Sequence, residues 1–172
     1  MLNENPAIYE ITPFTLAILA EKEGEKWISQ VMEDDDSYRV VQSTSKVMDY
    51  ACKFFGSSLK GRQEGVKDIC GISHKAPICI DPSSGMYFFP TSSPQNPNCS
   101  WIAHSHIEKI EKASNHCTNV TFKNQQSILL EVSYGSIRNQ IQRTAQFRYL
   151  LDARINYLFK HDHADRVAES FR

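Results

Sequence analysis

The residues best suited to chemistry lie in the segment Cys52–Gly65, which reads CKFFGSSLKGRQEG. Two hydroxyl residues, Ser57 and Ser58, precede Lys60 and Arg62, and glycines separate these cations. Glycine lets a backbone approach another surface closely, while hydroxyl and cationic groups bind phosphate oxygens. The pattern therefore predicts a flexible basic loop that holds a polyanion, either a nucleotide or a nucleic acid.

The same segment is a near miss for two catalytic motifs. Its glycine spacing fits a phosphate-binding loop, but Arg62-Gln63 stands where Lys-Ser/Thr is needed, and the segment follows a predicted helix rather than a strand. Ser57 and Lys60 fit a serine acyltransferase signature, whose later elements the sequence lacks. A nucleotide-binding enzyme stays open as a hypothesis, which nucleotide-dependent thermal stabilisation would test.

A metal site is the other alternative. Cys99, His104 and His106 lie close together in the sequence, and a fourth ligand could come from Cys52 or Cys117. Zinc takes four cysteine or histidine ligands in structural sites, but this spacing matches no standard zinc finger. The alternative hypothesis is thus a zinc-stabilised protein-interaction module without DNA binding, which zinc stoichiometry would test.

Charge is distributed unevenly along the 172 residues, although the net charge is only −1. Residues 1–50 carry 4 basic and 10 acidic side chains, whereas residues 51–172 carry 15 basic and 10 acidic ones. An anionic partner is therefore expected to bind the later part of the sequence, residues 51–172.

The longest apolar run, Phe14–Ala20, is too short to span a bilayer, and the sequence opens without a leader. We therefore expect no membrane contact and a cytoplasmic location. The five cysteines are odd in number and are expected to be thiols.

Periodicity predicts an α+β fold, a β-hairpin-rich body with a short central helix and a long C-terminal helix. Three hairpins are predicted, from Phe14–Ala20 with Trp27–Met32, Ile78–Ile80 with Met86–Phe89, and Val120–Phe122 with Ser127–Val132; Arg39–Ser43 and Trp101–Lys109 read as further strands. The short helix is expected to start at a Thr44 or Ser45 cap and to end at Gly56, and the long one to be capped by Ser136 and to run over Ile137–Lys160. No helix-turn-helix pattern is evident, and the basic segment, which follows a helix C-terminus, gains no helix dipole.

Six blocks of sequence resemble one known family. They are CKFFGSSLKGR from Cys52, ISHKAPICIDPS from Ile72, FFPTSS from Phe88, CSWIAHSHI from Cys99, VTFKNQ from Val120 and NQIQRTA from Asn139. The blocks are similar to the ComK family of bacterial competence transcription factors, in the same order and over roughly residues 8–155.

The resemblance implies a transcriptional activator of DNA-uptake genes, without enzymatic activity and without a cofactor. It implies binding to double-stranded DNA at paired A/T-rich boxes, largely through the minor groove, by dimers that assemble into tetramers, with RNA polymerase as a further partner. Charge and loop chemistry, rather than the family, select the residues predicted to contact DNA: Lys53, Ser57, Ser58, Lys60, Arg62, His74, Lys75, His104, His106 and Arg143.

The domain prediction is a single DNA-binding domain over residues 1–160, followed by a short polar tail over residues 161–172. Long members of the family continue into a tail that an adaptor protein uses to deliver them to a protease. The sequence from Leu158 to Arg172 departs from that pattern, so we expect a shortened paralogue, and adaptor-dependent proteolysis is not carried over.

Overall fold

The structure is a computed structural model that describes the backbone of residues 3–4 and 10–169 and the side chains of residues 10–160. Within these residues the predicted α+β fold is confirmed, with three helices and two sheets. The strands are β1 Asn3–Glu4, β2 Thr15–Glu23, β3 Lys26–Glu33, β4 Ser37–Val40, β5 Ile78–Asp81, β6 Met86–Pro90, β7 Trp101–Ala103, β8 Ile107–Lys112, β9 Thr118–Phe122 and β10 Ser127–Leu130. The helices are α1 Thr44–Phe54, α2 Leu59–Cys70 and α3 Tyr134–Glu169.

The larger sheet has the order β1-β4-β3-β2-β7-β6-β5, and the smaller one has the order β10-β9-β8. All described pairs are antiparallel except β1 with β4. The three predicted hairpins are confirmed as β2–β3, β5–β6 and β9–β10. In the first of them Gly24 adopts a φ of 60° in the two-residue turn, a conformation that favours glycine.

The N-cap of the short helix lies one residue before the earlier of the two predicted caps, Thr44 and Ser45. Ser43 is the N-cap, and its side chain accepts a hydrogen bond from the backbone N–H of Lys46. The strand predicted over Arg39–Ser43 is therefore wrong at its C-terminal end, because β4 stops at Val40 and Ser43 belongs to the helix. The C-terminal prediction is confirmed, since Gly56 has a φ of 76° and its N–H bonds to the carbonyl of Lys53 at 3.0 Å.

The predicted flexible loop is wrong beyond Ser58, because Leu59 begins a second helix. Ser58 is its N-cap, and the Ser58 hydroxyl accepts a hydrogen bond from the N–H of Gly61 at 3.0 Å. A Cβ at Gly61 would stand 3.1 Å from the hydroxyl of Ser57, so glycine allows the serines to pack against the helix. Consequently α1 and α2 are consecutive helices joined by the short turn of residues 55–58, an arrangement that the sequence pattern does not reveal.

The strand predicted over Trp101–Lys109 is also wrong. It ends at Ala103, a single 3-10 turn covers His104–His106, and the chain then enters β8 of the other sheet. The alternation of apolar residues continues through this break, which is why the sequence reads as one strand. The two histidines consequently do not share a strand face.

The long helix starts at Tyr134 rather than after Ser136. The Ser133 hydroxyl accepts a hydrogen bond from the N–H of Ser136, so Ser133 is the cap. The helical backbone continues to Glu169, past the boundary predicted at residue 160.

The core has three parts that hold the layers together. On one face of the larger sheet, Met48 of α1 packs with Phe88 and Trp101. On the other face, Phe89 packs with Phe122 of β9 and Ile137 of α3. The third part joins α2, β5, β6 and α3 through a cluster that includes Val66, Tyr87 and Phe147. Adjacent residues of β6 are buried on opposite faces, so this strand is covered on both sides of the sheet.

Candidate nucleic-acid interface

A cleft of about 660 Å³ brings together basic side chains from segments that are distant in the sequence. It lies between the first turns of α1 and α2, the loop that connects α2 to β5, and the loop that follows β6. The charged or titratable residues in its lining are Lys46, Asp49, Lys60, His74 and Lys75. We call this site the cationic cleft, because three lysines share it with a single carboxylate.

Both short helices direct their N-terminal ends toward the cationic cleft. Lys46 lies in the first turn of α1 and Lys60 in the first turn of α2, and neither first turn contains an acidic residue. A helix N-terminus carries partial positive charge, so lysines at these positions do not stabilise the helices. An anionic partner would gain from both the lysines and the helix ends. The expectation that no helix dipole assists this segment is therefore wrong.

The carboxylate of Asp49 already has two partners. It accepts a hydrogen bond from the N–H of Leu59 at 2.9 Å and forms an ion pair with Lys53 at 2.7 Å. Both partners lower the pKa of Asp49. The hydrogen bond from Lys53 has the larger effect, and the hydrogen bond from the N–H of Leu59 has the next largest. Lys53, one of the predicted contacts, is thus ion-paired and does not line the cleft.

The loop between α2 and β5 supplies the second side of the cleft. Gly71 ends α2 with a φ of 72°, and the chain then exposes His74 and Lys75 before Ala76 is buried. Lys75 has a φ of 48°, a conformation that residues with a Cβ adopt rarely. The tip of this loop is therefore held in one unusual backbone geometry.

Two side chains of α3 bond to that loop from behind. The amide of Gln140 donates to the carbonyl of Lys75 at 2.9 Å, and the guanidinium of Arg143 donates to the carbonyl of His74. Arg143 also donates to the side-chain oxygen of Gln140 at 2.7 Å, and burial lowers the pKa of Arg143. Arg143, predicted to contact DNA, does not line the cleft.

The other predicted residues of the basic segment have structural partners. Arg62 is half-buried, and its guanidinium donates to the carbonyl of Ile80 at 3.2 Å, which ties α2 to β5. Its Nε atom is buried without a partner among the described residues. Ser58 caps α2, and Ser57 packs against Gly61. Only Lys60 of this group lines the cationic cleft.

The predicted pair of histidines lies elsewhere. Nδ1 of His104 lies 3.1 Å from the guanidinium of Arg148, and burial and then the charge of Arg148 lower the pKa of His104 to about 4. His104 is therefore neutral at pH 7. The ring of His106 bonds to the carbonyl of Pro13 at 2.7 Å. Neither residue lines the cleft.

The alternative zinc site is not assembled. The thiol of Cys99 is buried and bonds to the carbonyls of Ser92 and Ser100, away from the partners of His104 and His106. Among the residues whose side chains the structure describes, no three His, Cys, Asp or Glu side chains converge as metal ligands would. All five cysteines are free thiols, and burial raises the pKa of Cys52 to about 11 and that of Cys79 to about 12.

Sequence reasoning missed part of the cleft. Lys46 and the polar residues Ser45, Gln63, Ser93 and Gln95 line it, although no motif marks them. Lys46 carries the one usable signal, a lysine in the first turn of a predicted helix that has no acidic neighbour there. The serines and glutamines that line the cleft come from separate segments of the chain, so no local sequence pattern could identify them.

A second surface is apolar. On α3, Tyr149, Tyr157, Leu158 and Phe159 are each more than 60% exposed. Large apolar side chains that stay exposed together mark interaction surfaces more often than plain surface. Among the described residues, no helix is long and apolar enough to cross a membrane.

Comparisons with known proteins agree with the family resemblance. The family model described as ComK protein matches residues 6–156. The chain is 38% identical over 149 residues to a protein of Bacillus subtilis (strain 168) named "Competence transcription factor". The aligned region covers 87% of this chain and 78% of that protein. No solved structure matches. Because the family model matches most of the chain and the relative is 38% identical, the chain belongs to the ComK family.

Proposed function

We propose that this chain is a DNA-binding transcription factor that activates competence genes, and that the cationic cleft binds the DNA backbone. The similar B. subtilis protein is named a competence transcription factor, which supports the biological role. The observation that carries the proposed site is the convergence of Lys46, Lys60 and Lys75 from three separate segments. Lysines that neutralise phosphates release counterions, and this release supplies much of the free energy of DNA binding.

We propose that the tip of the 71–77 loop enters the minor groove of A/T-rich DNA. Narrow A/T-rich minor grooves have an enhanced negative potential that attracts Lys, Arg and His side chains. His74 and Lys75 project from a single exposed tip, whereas α1 and α2 are too wide for a groove about 6 Å across. Lys46 and Lys60, at the helix ends, would then contact the flanking phosphates.

We propose self-association on DNA, as a homodimer or tetramer, through the distal half of α3. Tyr157, Leu158 and Phe159 are consecutive exposed apolar side chains there, and such assembly would cover them. RNA polymerase as a partner and a cytoplasmic, nucleoid-associated location follow from the proposed role. Adaptor-dependent proteolysis remains a prediction that no observation on this chain tests.

We propose that the chain acts without catalysis and without a cofactor. Burial raises the pKa of the Cys52 and Cys79 thiols, which disfavours the nucleophilic thiolate. His104 is bonded to Arg148 and does not line the cleft. These contacts support a binding role for the molecule.

The experiment is an anisotropy titration of an A/T-rich duplex and a G/C-rich duplex of equal length at several salt concentrations. We expect tighter binding to the A/T-rich duplex and a steep loss of affinity with salt. A third duplex, with A·T pairs replaced by I·C pairs, keeps the minor-groove acceptors and changes the major groove, so it should bind like the A/T-rich duplex. Equal affinity for all three duplexes would contradict the proposed sequence preference. No binding to any duplex at low salt would contradict the proposed DNA-binding function.

A further inference from the structure

Gln140 is a buried polar side chain behind the cationic cleft. It is only 3% exposed, and its amide nitrogen donates to two carbonyls, those of Lys75 at 2.9 Å and Pro90 at 2.7 Å. Pro90 is the last residue of β6, a strand that is buried along its whole length. Gln140 therefore ties the tip of the 71–77 loop to a buried strand of the larger sheet.

Arg143 completes the arrangement one turn later on α3. Its Nη1 donates to the oxygen of Gln140, and its Nη2 donates to the carbonyl of His74. The oxygen that accepts from Arg143 fixes which way the Gln140 amide points, so its nitrogen faces the two carbonyls. A planar guanidinium can hold two acceptors at once, which a lysine ammonium on a flexible stem does not reproduce.

The bonds fall on the two residues that form the exposed tip. Lys75 has a φ of 48°. In this left-handed conformation the Cβ crowds the backbone, and a lysine side chain forms no local hydrogen bond that would offset the cost. Residues held in rare backbone conformations persist when their surroundings over-determine them, and they cluster at functional sites. Here the surroundings are the two α3 side chains, which bond to the carbonyls of His74 and Lys75.

We propose that Gln140 and Arg143 are positioning residues for DNA binding, which hold His74 and Lys75 in the geometry that engages the minor groove. This inference rests on the proposed function of the cleft. Arg143 acts through the loop and not as a phosphate contact. The first turns of α3 are thus part of the DNA site, although they do not line the cleft.

The test is a double-mutant cycle measured as affinity for the A/T-rich duplex. Arg143→Gln is introduced into the wild-type chain and into the His74→Ala/Lys75→Ala chain. We expect Arg143→Gln to weaken binding about tenfold in the wild-type chain, and less than about twofold once the tip side chains are gone. An equal loss in both chains, with the salt slope reduced by about 0.9 each time, would identify a direct phosphate contact and overturn the proposal.

Two further variants distinguish a positioning role of these side chains from a general folding defect. Arg143→Lys keeps the charge but cannot bridge Gln140 and His74, so we expect it to bind as weakly as Arg143→Gln; binding at the wild-type level would contradict the positioning role. Gln140→Met keeps the shape and removes the amide, and we expect faster hydrogen exchange of the backbone amides of residues 73–76 together with weaker binding. Unchanged exchange at those amides would also contradict it.

Arg138→Gln is the matched control, because it removes the same charge from the same helix at an exposed residue that contacts the ring of Tyr134 and does not line the cleft. It should leave affinity within about twofold of wild type. If the wild-type chain fails to bind DNA at low salt, both the proposed function and this inference are overturned. If the wild-type chain binds and the cycle is additive, only the inference is overturned.

Discussion

The carboxylate of Asp49 accepts a hydrogen bond from the backbone N–H of Leu59, at 2.9 Å, and so fixes the start of α2 beside the middle of α1. This bond places an anion of the chain itself at the end of a helix that faces the cationic cleft. Asp49 therefore contributes to folding and opposes the binding of an external anion at the same time.

Asp49→Asn should separate these two effects. The amide oxygen can still accept from Leu59, but the charge that pairs with Lys53 is lost. We expect the free energy of unfolding to fall by less than about 1 kcal/mol, because the side chain is partly exposed, and DNA affinity to rise. Urea denaturation and an anisotropy titration measure the two quantities. A variant that binds DNA more weakly than wild type at equal stability would contradict the placement of Asp49 in the cleft.

His104 should make stability depend on pH in the mildly acidic range. Its folded pKa is lowered to about 4, whereas an unfolded histidine titrates near 6.5, so the unfolded chain binds more protons between these values. The free energy of unfolding should therefore fall as the pH drops from about 6.5 to about 4, by up to about 1.4 kcal/mol per pH unit from this residue.

Substituting His104 by Gln keeps an acceptor for Arg148 and removes the titration. Urea denaturation at pH 7 and pH 5 should show a smaller loss of stability for this variant than for wild type. His106→Gln, in the same 3-10 turn, serves as the control and should keep the wild-type difference. If His104→Gln loses as much stability on acidification as wild type does, the buried neutral histidine is not responsible.

Lys60 and Arg62 should have opposite roles despite being two residues apart. Lys60 is exposed in the cleft, so Lys60→Met should lower DNA affinity and the salt slope with little change in stability. Arg62→Met should lower the free energy of unfolding by about 1–3 kcal/mol, because the carbonyl of Ile80 loses its partner, and should leave the salt slope unchanged. A reduced salt slope in Arg62→Met at unchanged stability would mean that Arg62 binds a phosphate.

Self-association should depend on the distal half of α3. Replacing Tyr157, Leu158 and Phe159 together by Ser removes three exposed apolar side chains from it. We expect light scattering to show a smaller average mass in solution and on DNA, while unfolding of the body is unaffected, since these side chains contribute little to the core. An unchanged mass would place the interface on another surface.

The sequence predicts the hairpins and the C-terminal end of α1, because apolar alternation and a C′ glycine are local signals. It does not reveal α2, whose Gly61 and Gly65 and flanking serines are typical of a loop. Only the cap at Ser58 and the bond from Leu59 to Asp49 show why that segment is helical. A strand pattern likewise continues through the turn at His104, where the chain passes from one sheet to the other.

The candidate site is less predictable than the fold. Lys60, His74 and Lys75 are recognisable as exposed cations near glycine or proline, and the structure brings them into one cleft. Lys46 joins them from another helix, while Arg143, on a face of α3, turns inward to a backbone carbonyl. Which cations face a partner is decided by tertiary packing, and residue type alone does not encode it.

DNA binding at the proposed site requires that the three cleft lysines neutralise DNA phosphates. It is tested most directly by the salt dependence of DNA binding for Lys46→Gln/Lys60→Gln/Lys75→Gln, beside a control in which exposed Lys22, Lys26 and Lys123 are changed to Gln. We expect the slope of log affinity against log salt to fall in magnitude by about 2.7 for the cleft variant and to be unchanged for the control. Equal slopes for the cleft variant, the control and the wild-type chain would contradict it.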